Sequence, residues 1–231
     1  MPAGSTRRSG QREGGRNRLF VKAAVPVVLV AAAVVGIRWN GGHDPSTSSA
    51  SATFTVARAG ASETGKGDAY RVEVEKGSGL DADEAAAEVA RVLAAPRGWS
   101  HHGEHSFRQV AEGPAGLVIR IATPATTDRI CGKGGLDTHG EVNCRVGTDV
   151  MVNLKRWQRG SPEFHGPLAD YRALIVNHEV GHWLGHGHET CPGKGRPAPA
   201  MMQQIYGLRG CVSNAWPYDA KGRYLGGPSV P

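Results

Sequence analysis

Two histidines four residues apart on a helix stand on one face, close enough for both rings to reach one ion, and an acid between them projects beside that ion. In the run His178-Glu-Val-Gly-His-Trp-Leu-Gly-His-Gly-His188 the pair is His178 and His182, and the acid is Glu179. A helix that carries this trio has to border a cleft, which limits where the rest of the chain can be. Gly185 follows, and a residue without Cβ can take the left-handed conformation that ends a helix and turns the chain back. His188 then returns as the third ligand. Three neutral imidazoles leave a fourth position open, which separates a catalytic zinc site from a closed structural one. His186 also lies four residues beyond His182 and would replace His188 if the helix ran on, but Gly185 argues against that; Glu189 is a weaker rival. With Zn2+ as cofactor, Glu179 is the expected general base for an attacking water.

The spacing His-Glu-x-x-His-x-x-Gly-x-x-His resembles that of the metzincin metallopeptidases, whose second hallmark is a methionine in a tight turn beneath the metal. Met201 and Met202 lie in Ala198-Pro-Ala-Met-Met-Gln-Gln204, where Pro197 and Pro199 favour a turn. The resemblance implies His178, His182 and His188 as zinc ligands, Glu179 as base and Met201 as the turn methionine, with Met202 the lesser choice. Gln203 stands where astacin-like members carry tyrosine, and Tyr206 lies further on. The run Asn177 to Cys191, with Cys211 and Asn214-Ala-Trp-Pro217, is also similar to N-terminally anchored bacterial proteins known mainly as a domain of unknown function with metzincin features. That likeness implies an extracytoplasmic zinc endopeptidase with an α+β fold: a twisted mixed sheet, a backing helix, a central zinc-binding helix and an irregular C-terminal part.

Charge locates an appendage. Residues 1–38 hold Arg7, Arg8, Arg12, Arg16, Arg18, Lys22 and Arg38 against Glu13 alone, which accounts for the whole net charge of +6. The rest of the chain is balanced, so the high isoelectric point gives no support to nucleic-acid binding by the folded part. Residues 1–22 read as a basic cytoplasmic tail and 23–39 as an apolar, single-pass transmembrane signal anchor, with the positive flank inside. A signal peptide cleaved near Ala31-Ala-Ala33 is the competing reading; the apolar run continues through Val34 and Val35, which fits an anchor better. Both readings place the remainder outside the cytoplasm. Residues 40–52 form a flexible linker rich in Gly and Ser. The domain proper is expected over 53–231, as a monomer acting on a peptide or protein substrate.

Within it, 53–59, 69–75, 107–111, 117–122 and 149–154 read as strands, and 60–68 as a loop. Asp81 with Glu84 opens a helix whose apolar face, Ala85, Ala86, Val89, Val92 and Leu93, stops before Pro96. The zinc helix is expected from Pro167 to Leu184, apolar on both sides and therefore buried between layers. The 149–154 strand, near that helix in sequence, is the expected edge on which an extended substrate adds. His101, His102 and His105 read as a solvated loop. In an exported domain the four cysteines imply two disulfides, and neighbour pairing gives Cys131–Cys144 and Cys191–Cys211, the second closing a loop around Met201. Two other functional classes stay open: a zinc-bearing binding module without turnover, and a zinc amidase acting on cell-wall amides.

Overall fold

The computed structural model describes residues 51–230, and period-two patterning supplies the sheet at their centre. In chain order the elements are β1 (Phe54–Val56), β2 (Asp68–Glu75), α1 (Ala82–Leu93), β3 (Phe107–Gln109), β4 (Leu117–Ala122), α2 (Pro124–Lys133), β5 (Cys144–Val146), β6 (Asp149–Asn153), α3 (Leu154–Arg159) and α4 (Leu168–Trp183). The fold is α+β, with a twisted mixed sheet in the order β1-β2-β4-β6-β5 and β3 beside the start of β2. Strands β2, β4 and β6 run parallel, while β1 and β5 are antiparallel to their neighbours.

Alternation decides which layer each side chain joins. Tyr70, Val72 and Val74 of β2, Leu117, Ile119 and Ile121 of β4, and Val150 and Val152 of β6 enter one core with α1 and α4. Each such side chain, once fully buried, contributes about 1.5–3 kcal/mol. The intervening residues face the other way, where Arg120 donates to Glu73 at 2.7 Å and pairs with Asp149 at 2.5 Å across three strands. At the β5 end of that face Ala122, Cys131, Cys144 and Met151 form a smaller core under α2.

Asp81 caps α1 by accepting the Glu84 amide at 2.9 Å, and the helix buries the face read from its sequence. Helix α4 has Pro167 at its N-cap and buried residues on both sides, Tyr171, Leu174 and Ile175 on one, Ala173, Val176 and Val180 on the other. From Glu189 onward the chain is irregular apart from one 3-10 turn at Gln204–Tyr206. Both disulfides are present as paired above.

Three expectations are corrected. Strand β6 is not an edge: it pairs with β4 on one side and β5 on the other, and the edge is β5. Its sequence run was read one residue too far, because Asn153 caps α3 by accepting the Lys155 amide at 3.0 Å, so Leu154 opens a helix. The transmembrane helix is the third. Crossing a bilayer takes about 20 apolar residues, whereas α4, the longest described helix, has 16 and carries Asp170, Arg172, Glu179 and histidines. No helix among the described residues is long and apolar enough to cross a membrane. The tail, the 23–39 segment and most of the linker lie outside the described residues.

Candidate metal centre

Helix α4 ends in hydrogen bonds that turn the chain under its own last turn. Gly185 adopts φ +96°, its amide reaches His182 O at 3.1 Å, and the His186 amide reaches Gly181 O at 2.9 Å. This double closure on a left-handed glycine is what the sequence called for at that position. It brings His188 back beneath His178 and His182, and sends His186 outward to stack on Trp99 with centroids 4.3 Å apart.

The three rings meet through their Nε2 atoms. His182 Nε2 lies 3.2 Å from that of His178 and 3.1 Å from that of His188. The other nitrogens settle the tautomers: His178 Nδ1 donates to Ala200 O at 2.9 Å, and His182 Nδ1 donates to His186 O at 2.9 Å. Both Nε2 atoms are then bare lone pairs, which repel at such separations unless a cation lies between them. Nitrogens bound tetrahedrally at about 2.0–2.1 Å stand about 3.3 Å apart, so the spacing fits zinc. Among the described residues this is the one cluster of at least three His, Cys, Asp or Glu side chains with metal-ligand proximity.

Electrostatics favours neutral ligands. Burial pushes His178 down to about 3, with the His182 and His188 rings adding to the fall against the Ala200 carbonyl. Burial likewise lowers His182 and His188. Glu179, 5% exposed, is pushed up to about 8 by burial, with the Arg145 charge pulling the other way; a dication in the triad would oppose that rise as well.

The floor beneath the site comes from the turn around Met201. Ala200 O holds the His178 ring, Met201 O accepts the Glu189 amide at 3.2 Å, and the Met201 side chain, fully buried, lies against Gly181. A Cβ at Gly181 would run into the Met201 sulfur and stand 2.8 Å from Trp99 Cζ2, so glycine inside this helix is a packing requirement. Met202 belongs instead to a small cluster with Ala198 and Cys211. Glu189 is engaged elsewhere, accepting from Tyr224 Oη at 2.9 Å and the Gly227 amide at 3.0 Å.

A cavity of about 550 Å³ opens over the triad. Glu179, His178, His182 and His188 form one wall, β5 with Arg145 another, and Gln203 to Tyr206 a third. The rims are apolar and exposed, Leu136 at 44% and Tyr206 at 65%. Sequence reading set Tyr206 aside as too distant, yet the 3-10 turn carries it to the wall; it missed Arg145 altogether, which no local spacing marks. The His101–His105 group stays apart from the triad, His101 packing on Tyr218 with centroids 4.4 Å apart.

Residues 40–219 match the family described as "Protein of unknown function (DUF3152)". The chain is also similar to a protein named Endoribonuclease YbeY from Myxococcus xanthus (strain DK1622), 33% identical over 75 residues. That match spans 32% of this chain and 25% of the Myxococcus protein. No solved structure matches the chain significantly.

Proposed function

The chain belongs to the DUF3152 family, and we propose that this member is a zinc-dependent endopeptidase of the metzincin kind, working outside the cytoplasm. The observation that carries the reading is the convergence of three Nε2 atoms, that of His182 lying 3.1–3.2 Å from the other two, beside a buried Glu179 on the wall of an open cleft. Two disulfides support an oxidising compartment.

His178, His182 and His188 would hold the metal, the first two oriented by Ala200 O and His186 O. A zinc bound there supplies Lewis acidity, polarising a carbonyl and acidifying a water. Glu179 accepts the proton of the attacking water at its carboxylate and returns it to the departing amine. Burial excludes bulk water from that carboxylate. An extended peptide adds along the free edge of β5, whose Cys144 and Arg145 line the cleft, while an apolar side chain fits between Leu174, Ile175 and Ile205.

The test is Glu179→Gln in the zinc-loaded protein. Metal binding stays within a few-fold of wild type, since Glu179 is not a ligand, and peptide hydrolysis falls at least about 100-fold. Hydrolysis at the wild-type rate would sink the mechanism. The similarity to the Myxococcus endoribonuclease supports a second reading, metal-assisted cleavage of RNA, so RNA and purified cell wall belong in the same assay. Turnover of RNA alone would replace the peptidase reading, and turnover of cell wall alone would point to an amidase.

A further inference from the structure

We propose that Arg145 is a carboxylate seat in the metal cleft, selecting peptides that carry an anionic group beside the scissile bond. The inference rests on the peptidase reading and names its substrate class. Arg145 sits on the edge strand β5 and lines the cavity, where it is the sole Lys or Arg. Its guanidinium is fixed at both ends by uncharged main chain: Nη1 donates to Gly147 O and Nη2 to His182 O, each at 3.2 Å. Two of its five donors are thus used, and three have no protein partner among the described residues.

On the same sheet Arg120 is neutralised by Glu73 and Asp149, and in α3 Arg156 by Glu141. Arg145 has no carboxylate within 4.0 Å among the described residues. Asp137, the other acid on the cavity wall besides Glu179, is exposed at the rim and pairs with His139 at 3.1 Å. A rigid fork with unused donors and no counter-ion matches a carboxylate in shape and charge. An RNA strand would ask for several cations in sequence along the cleft to meet successive phosphates, and the wall offers one. The carboxylate can belong to an acidic side chain or to a chain terminus.

Zinc-loaded protein is titrated calorimetrically with N-acetyl-leucyl-leucinamide, N-acetyl-leucyl-leucine, N-acetyl-leucyl-aspartamide with its side-chain carboxylate free, and a uridylate hexamer. At least one carboxylate probe binds wild type about 10-fold or more tighter than the neutral probe, and which one identifies the source. In Arg145→Gln that advantage drops below about 2-fold, and it partly returns in Arg145→Lys. Should Arg145→Gln fail to fold, the wild-type protein still decides: the carboxylate probe protects Arg145 from phenylglyoxal, read by mass spectrometry. Equal preference in wild type and Arg145→Gln, absence of protection, or Arg145 dependence for the hexamer alone overturns the proposal. Hydrolysis of longer peptides is followed separately, so that its absence counts against the peptidase reading and leaves the binding result standing.

Discussion

Changing Gly181 to alanine tests the contact between α4 and the turn below it. In a helix interior alanine is favoured over glycine by about 1 kcal/mol, so an unobstructed site would be stabilised. Here the new Cβ meets the Met201 sulfur, with Met201 Cε at 3.2 Å and Trp99 at 2.8 Å. Overpacking of this kind costs about 1–3 kcal/mol, which leaves Gly181→Ala destabilised by up to about 2 kcal/mol. Met201→Ala empties a fully buried site and costs about 2–5 kcal/mol. In the double variant the clash with Met201 is gone and the alanine methyl fills part of the void, while the 2.8 Å approach to Trp99 Cζ2 remains. The same Gly→Ala change is therefore less destabilising in the Met201→Ala background than in wild type, by about 1 kcal/mol or more. Urea unfolding of the metal-free, disulfide-intact proteins measures all four corners of the cycle. If the two single-variant costs add to within about 0.5 kcal/mol in the double variant, the Met201 contact does not govern this position.

His188→Ala abolishes tight zinc binding while His186→Ala leaves it within a few-fold, because His188 is in the triad and His186 stacks on Trp99; isothermal titration with zinc separates them, and the reverse pattern would remove the basis of the site. For the metal-free protein, urea titrations are expected to give a stability maximum near pH 6.5, the ordinary histidine value. On the acid side His178, His182 and His188 are all lowered, so the unfolded chain binds more protons and stability declines as pH falls below about 6.5. On the alkaline side Glu179 holds its proton to about 8 only when folded, so stability falls as pH rises from 6.5 to 8, by up to about 1.4 kcal/mol per pH unit. A curve that rises steadily through that range contradicts the buried, protonated Glu179.

How much could be read in advance followed the range of the interactions. His178, His182, Gly185 and His188 sit within a few turns of chain, and helix geometry alone relates them. Asp81 with Glu84, and the dense apolar run of β4, are equally local signals. Helix α2 was invisible because Thr126 and Thr127 have poor helix preference; it is held instead by the Glu75 carboxylate, which accepts the Thr123 amide and the Thr126 hydroxyl, and by Cys131. Strand β5 is three residues long and takes its place from pairing with β6. Gly181 looked like a neutral member of the motif; its necessity comes from Met201, 20 positions later in the sequence. Arg145 gains meaning only once the fold sets it beside His182 O.

The third histidine of the triad is clamped from far along the chain. His188 O accepts the Val230 amide at 3.0 Å, Thr190 donates to Pro228 O at 2.9 Å, and Glu189 bridges to Ser229 while holding Tyr224 and Gly227. His178 and His182 come together as soon as one helix forms, but His188 is not fixed until residues 224–230 have arrived. During synthesis and passage out of the ribosome, the nascent domain thus presents two histidines of the triad and not three. If the triad holds zinc as proposed, capture of the metal is timed to the end of folding, and a partly emerged chain, with its cleft unfinished, would hold no metal tightly.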